Sequence, residues 1–318
     1  MKILFITATR IGDAVLSTGL LSHLIATHPG ARFTIAAGPA AAPLFAAVPG
    51  LDQLIVVEKR RYALHWLALY RHAALTRWDL VVDLRGSALS YLVLAKSRRV
   101  AAKGDYAEHR VAQLGRLLSL APPPAPRLWF AAAHRDRAAA LIPPGGPVLA
   151  IGPCANWRGK EWPAERFAAL AEALTARDGP LPQARIAIAA ASHERARAEP
   201  VLASIPAARR IDLIGQDLLT VAASLGRCAL FVGNDTGLMH VAAATGIPTL
   251  GLFGPSHASH YGPWGKLGAV VSTAIPAMEL FRIGFDHRTT DSLMGSLSVA
   301  AAEREARDLL ARVAGAVA

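Results

Sequence analysis

Short apolar runs alternate with helical stretches along the 318 residues. The alternation breaks at a proline-rich stretch near the middle and then restarts. Together these observations predict an α/β chain of two domains, residues 1–145 and 146–318. Strands alternating with helices of this length need crossover connections, and crossovers make parallel sheets. The length agrees, since 318 residues suit two domains of about 150 each.

Residues 2–8, KILFITA, read as a buried strand. A loop follows at 9–13, then a helix over 14–27, where Leu16, Leu20, Leu21 and Leu24 recur at helical spacing. Pro29 and Gly30 end it. Residues 32–37, 54–57 and 80–84 are further strands, the second after the Pro49-Gly50 turn and the third after a helical stretch at 63–75. Pro122, Pro123, Pro124 and Pro126, then Pro143, Pro144 and Pro147 with Gly145 and Gly146, mark the expected linker.

Strands are then expected at 148–152, 185–190, 211–214, 229–232 and 249–253. Helices are expected between them at 164–176, 193–203, 218–225 and 236–245. Residues 298–317 read as a last helix with Ser298 as N-cap, placed to pack back on the first domain. Two such halves suggest a pair of Rossmann-like domains facing a central cleft.

Hydrophobic residues make up 53% of the chain and the mean hydropathy is +0.32, much of it alanine. The most apolar run, residues 34–57, is interrupted by Gly38, Pro39, Pro43, Pro49, Gly50 and Asp52, whereas a spanning helix needs about 20 unbroken apolar residues. Only residues 3–6 are continuously apolar before Arg10 and Asp13, too short a run for a secretory signal. A cytoplasmic protein is expected, with Cys154 and Cys228 as reduced thiols that form neither a disulfide framework nor a metal site. No G-x-G-x-x-G or Walker A string occurs, which argues against NAD enzymes and P-loop NTPases.

The net charge of +11 is uneven. Residues 1–150 carry 18 Lys and Arg against 8 Asp and Glu, and residues 151–318 carry 16 against 15. The first half therefore faces a phosphorylated substrate, an anionic membrane leaflet or nucleic acid, unless it is simply a solvated basic surface.

Three segments carry chemistry. In residues 229–255 a buried strand runs into a tight loop and a helix that opens at about Asp235. The amides of Thr236 and Gly237 then lie where helix donors lack partners and the dipole is positive, a ready anion site. His240 shares a helical face with Thr236 and can donate to a phosphate oxygen. Asp235 is either the N-cap or a ligand for a sugar hydroxyl. The second segment is Arg10-Ile11-Gly12-Asp13, beyond the end of the first strand, where ligands of open α/β sheets bind. Gly12 permits close approach, and Asp13 is either an N-cap or a general base for an attacking hydroxyl. The third, residues 152–163, presents Lys160 ahead of a helix opening near Pro163. Lysine there neutralises a diphosphate leaving group without a metal, or else is a surface lysine. No D-x-D string occurs, which agrees with metal independence.

Taken together, RIGD at 10–13, KEWP at 160–163 and NDTGLMH at 234–240 resemble glycosyltransferase family 9, the ADP-heptose:lipopolysaccharide heptosyltransferases. The resemblance implies a GT-B fold and inverting, metal-independent transfer of a sugar, heptose above all, from an ADP-sugar. It implies no cofactor and no metal. The acceptor it implies is an anionic lipid A/Kdo-type core at the inner membrane face, with no nucleic acid partner. By that resemblance Asp13 is the catalytic base. Lys160, Thr236, Gly237 and His240 hold the diphosphate, and Asp235 lies near the transferred sugar. Gly12 and Asn156 line the donor loops, Gln216 lies near the adenine, and Ser192 and Glu194 are alternatives for the ribose. The chain departs from the family at Gly19, where members often carry proline. Lys59, Arg60, Arg61, Lys96, Arg98, Arg99 and Lys103 are the basic clusters expected to face the acceptor.

Two other classes stay open at this stage. One is another nucleotide-sugar enzyme on the same double fold, such as a UDP-sugar 2-epimerase. The other is a noncatalytic nucleotide-sugar-binding protein.

Overall fold

Ile3, Leu4, Phe5 and Ile6 are fully buried, as expected of a strand covered on both faces of a parallel sheet. In the computed structural model they form most of β1 (Lys2–Ile6) at the centre of the first sheet. The structure describes residues 1–59, 61–102, 104, 107–281, 286 and 289–317, without the side chains of 63, 277, 278, 316 and 317. Arg60 and Lys103 of the expected basic clusters lie outside the described residues. The chain divides into two units, Met1–Ala131 and Ala132–Ala318, upstream of the boundary drawn at 145 from the sequence.

In the first unit β1 leads into α1 (Ile11–Thr27), β2 (Arg32–Ala37), β3 (Leu51–Val56), α2 (Leu64–Ala73), β4 (Trp78–Asp83), α3 (Leu89–Leu92), β5 (Ala95–Val100) and α4 (Arg110–Leu117). The strand order is β3-β2-β1-β4-β5, all parallel. β1 pairs with both β2 and β4, through Ile3↔Phe33 and Ile3↔Leu80. The order of strands therefore reverses at β1, the place where open α/β sheets bind ligands.

Helix α1 begins at Ile11 rather than 14, with Arg10 in extended conformation at its N-cap. The proline stretch at 122–126 is not a linker. It lies along α1: the Arg127 amide donates to Thr18 Oγ1 at 2.9 Å, and a side chain at Gly19 would collide with the Pro124 carbonyl. Fixed proline dihedrals suit this extended, docked path. Strand β5 and helices α3 and α4 were not expected. β5, with the sequence AKSRRV, is an edge strand whose cations erase the apolar alternation.

The second unit contains α5 (Ala132–Leu141), β6 (Val148–Gly152), α6 (Ala164–Thr175), β7 (Arg185–Ile188), α7 (Arg195–Ser204), β8 (Arg210–Asp212) and α8 (Leu218–Leu225). It continues with β9 (Leu230–Asn234), α9 (Gly237–Ala244), β10 (Thr249–Phe253), α10 (Ala258–Tyr261), β11 (Gly268–Ser272), α11 (Ala277–Leu280) and α12 (Val299–Val317). The order is β11-β10-β9-β6-β7-β8, again all parallel, and it reverses between β9 and β6. This is the Rossmann arrangement in full. α5 packs on α8, and α12 packs on α6, β10 and β11. The Ala301 amide donates to Ser298 Oγ at 3.2 Å, as an N-cap requires. Edge strand β11, with a leading glycine, was the other strand missed.

Candidate functional site

At the reversal point of the second sheet, Gly152 of β6 pairs with Gly233 of β9. A Cβ at either would stand 2.7–2.8 Å from the Phe231 ring, so both strand ends need glycine. Beyond them two loops meet. Lys160 Nζ donates to Asp235 Oδ2 at 2.5 Å, with the side chains 19% and 7% exposed. Asp235 is therefore not the N-cap. Thr236 holds that position in extended backbone (φ −145°, ψ 172°), and its hydroxyl makes no cap bond. The register differs by one residue from the sequence expectation, which frees the Asp235 carboxylate to reach across to Lys160. α9 starts at Gly237, so the amides of Gly237 and its successors form the positive end of the helix. His240 lies one turn in, buried, with its ring centroid 6.3 Å from that of Tyr261.

The loop that carries Lys160 is held from several sides. The Asn234 carboxamide is fully buried and used at both ends. Its Oδ1 accepts from the Trp162 amide at 3.0 Å, and its Nδ2 donates to the Pro153 carbonyl at 2.8 Å. One side chain thus ties together the start and end of the loop. Glu161 Oε1 accepts from the Ala155 amide at 2.9 Å and from Arg197, which also donates to the Ala155 carbonyl and to Glu194 Oε1. Residues 292–297 close the far side. The Leu293 amide donates to the Gly159 carbonyl, Ser292 Oγ to the Glu161 carbonyl, and Trp162 Nε1 to the Leu297 carbonyl. Burial, with the Glu194 and Glu161 carboxylates nearby, pushes the Cys154 thiol up to about 12.

None of Asn234, Glu161 or Arg197 stood among the residues expected from the sequence to act at the site. Asn234 was in view within the NDTGLMH string, but its partners lie 72 and 81 residues away.

The remaining donor candidates sit on the neighbouring loops. Asn156 is exposed in the loop after β6. Ser192 follows β7 and lies against the turn at Gly215 (φ +81°) beside Gln216, which follows β8. Gln216 Oε1 is 3.5 Å from Arg137 Nε. Asp217 caps α8 by accepting from the Thr220 amide at 2.9 Å. Burial raises its pKa, but the hydrogen bonds to Thr220 outweigh this and leave its carboxyl below the usual value. Glu194 accepts from the Ala191 amide and from Arg197, so its carboxylate is occupied in bracing the loop. The loops bearing Asp235, Lys160, Ser192 and Gln216 thus follow one another along β9-β6-β7-β8, a span of about 14 Å at ordinary strand spacing.

In the first unit Gly12 and Asp13 lie in the first turn of α1, past the end of β1. Arg10, not Asp13, occupies the N-cap, so the capping alternative for Asp13 falls away. Next to it in the sheet, Asp83 ends β4 and is fully buried. It accepts from the Arg85 and Ser87 amides and from the Ser87 and Ser90 hydroxyls, a turn brace missed in the sequence. The basic clusters divide. Lys59 and Arg61 are exposed. Lys96 pairs with Asp79 at 2.5 Å. Arg98 spends its guanidinium on the carbonyls of Ser90, Val93 and Ala95 and is a structural residue.

Among the described residues no group of three or more His, Cys, Asp and Glu could hold a metal ion. Nor is any helix there long and apolar enough to cross a membrane.

The family model of glycosyltransferase family 9 (heptosyltransferase) matches residues 71–286, a stretch that includes Lys160 and Asp235 but not Asp13. The chain is 27% identical to lipopolysaccharide heptosyltransferase 1 of Pseudomonas aeruginosa, covering 84% of this chain and 82% of that protein. It is 24% identical to lipooligosaccharide heptosyltransferase 2 of Haemophilus influenzae, covering 85% and 88%. In fold it is similar to a family 9 glycosyltransferase of Veillonella parvula, with a TM-score of 0.77 at 20% identity over 98% and 97% of the two chains. It is also similar to an E. coli heptosyltransferase solved with ADP, with a TM-score of 0.72 at 18% identity over 97% and 100%.

Proposed function

We propose, from the premise that this chain belongs to glycosyltransferase family 9, that it moves heptose from an ADP-sugar to an anionic, lipid-borne core saccharide by direct inversion and without a metal. The chain is a glycosyltransferase by its family. The donor and acceptor are taken from what its relatives are named for.

The observation that carries the reading is the Lys160–Asp235 pair at the mouth of α9. A lysine has three donors, and Asp235 uses one. The others, with the α9 amides and an N–H of His240, supply donors where a leaving diphosphate develops its negative charge. That is the work a divalent cation does in other transferases. An extended nucleotide along β9-β6-β7-β8 sets the diphosphate at Lys160 and Thr236–Gly237, the ribose at Ser192 and the adenine at Gln216. Asn156 then lines the donor's sugar side, and Gly12 leaves the backbone beside Asp13 open to close approach. Asp13 takes the proton from the acceptor hydroxyl as its oxygen attacks the anomeric carbon, and the bond to the diphosphate breaks on the opposite face. We place the reaction at the cytoplasmic face of the membrane that holds the acceptor.

The test is ADP release by the purified chain, dialysed against chelator, from ADP-heptose with a heptose-free core acceptor. Proton NMR of the product reports the new anomeric configuration. Turnover with another nucleotide sugar but not with ADP-heptose would overturn the donor, and retained configuration would overturn the mechanism.

A further inference from the structure

Leu64 and Leu67 project from α2 on the side opposite its buried His65, Leu69 and Ala73. α2 is thus apolar on both faces, although only one packs on the sheet. α3, which touches α2, adds Tyr91 and Leu92, 69% and 67% exposed, and Leu94 follows at 64%. Tyr62 precedes α2, 91% exposed and held at φ +52°, a region a bulky residue enters only under constraint. Monomer surfaces scatter such residues singly; a contiguous group marks a contact.

The charge around this group is predominantly positive, with Glu58 the exposed exception at its edge. From Lys59 to Arg99 the sequence holds only two carboxylates, Asp79 and Asp83. Asp83 is buried in its own turn, and Asp79 pairs with Lys96 and the Lys2 amide. Arg61, Arg71, Arg77 and Arg99 are exposed. A second copy of the chain would bring these cations against their own kind. Leucines and tyrosines ringed by arginines match an anionic headgroup layer, with the apolar side chains below the headgroups and the guanidinium groups among them.

We infer that the outer face of α2 and the α3–β5 turn form the surface by which the protein docks on an anionic lipid bilayer. The inference takes from the proposed function only that the acceptor is lipid-borne. It is a reversible contact of side chains, since no helix among the described residues is long and apolar enough to cross the membrane.

The experiment is sedimentation of the full chain with acceptor-free vesicles of phosphatidylglycerol and phosphatidylethanolamine, against phosphatidylcholine alone. The chain is expected to pellet with the anionic vesicles and to release in high salt. Arg71→Gln with Arg77→Gln is expected to weaken binding about 30-fold, at the usual worth of two basic residues near an anionic surface. Leu67→Glu with Leu92→Glu is expected to abolish it. Both double variants change exposed side chains, and each is expected to turn over a delipidated acceptor at the wild-type rate while losing rate on vesicle-borne acceptor. Failure of the wild-type chain to pellet, or wild-type binding by the Leu67→Glu/Leu92→Glu variant, overturns the docking surface. So does a dimer in sedimentation velocity that the same variant dissolves. Absence of turnover on the delipidated acceptor sinks the proposed function instead, and leaves the vesicle result to be read alone.

Discussion

Replacing Asn234 by alanine removes a side chain that bonds both ends of the Lys160 loop through one carboxamide. Two buried backbone groups lose their partner, the Trp162 amide at 3.0 Å and the Pro153 carbonyl at 2.8 Å. A buried polar group left unsatisfied costs about 1–3 kcal/mol, so the variant is expected to lose about 2–6 kcal/mol, at the lower end if water fills the gap. The structural loss has a chemical consequence. The same loop sets Lys160 against Asp235, and a displacement of about 1 Å in a catalytic group can cost on the order of 100-fold in rate. Urea unfolding reads the first effect, and ADP calorimetry with turnover reads the second. Asn234→Asp is the control, because it keeps an acceptor for the Trp162 amide and sets an oxygen against the Pro153 carbonyl. It is expected to fall between wild type and alanine in turnover. Stability within about 0.5 kcal/mol of wild type, with ADP affinity and rate unchanged in Asn234→Ala, would refute the brace.

Asp13→Asn is expected to lower kcat by about 10²–10⁴-fold with ADP affinity retained; a loss of affinity at unchanged kcat would remove Asp13 from the base role. Lys160→Met strands the buried Asp235 carboxylate and is expected to cost about 3–5 kcal/mol. Adding Asp235→Asn should recover most of that stability in a thermal melt but no turnover; recovered turnover would mean the pair is structural only. Burial pushes the Cys154 and Cys228 thiols up to about 12, aided at Cys154 by Glu194 and Glu161, from 9.0 for a solvent-exposed thiol. Folding therefore favours the protonated thiols. Their contribution is complete below about pH 9 and declines towards 12, as the unfolded chain sheds its thiol protons first. Cys154→Ser with Cys228→Ser should flatten urea midpoints measured between pH 8 and 11, and an unchanged slope would contradict the shifts.

The central strands were legible because burial on both faces leaves unbroken apolar runs, as at residues 3–6 and 148–152. The edges were not, because β5 carries three cations and β11 begins with glycine. Composition also misled at residues 122–126, where prolines suggest a linker but Gly19 and Thr18 give the segment a seat on α1. At the site, the residue types were readable and their bonds were not. Asp235 has the chemistry of an N-cap, and only the position of Thr236 one residue later shows that it is not one. Its true partner, Lys160, lies 75 residues away, a separation over which no local pattern reports.

The bonds from residues 292–297 to the Lys160 loop set an order of events during synthesis. β11, the last strand of the second sheet, ends at Ser272. The ribosome therefore completes both sheets before it makes the side chains and amides that close the loop at Gly159, Glu161 and Trp162. Domains form as units while the chain is still growing, and Ala302, Ala306 and Leu309 of α12 belong to the core of the second unit, so that unit cannot close before the segment that fastens the far side of the loop has been made. The last bonds of the loop and the last of the core then arrive together. A product cut short after β11 would lack both, with the faces of α6, β10 and β11 that α12 covers left open.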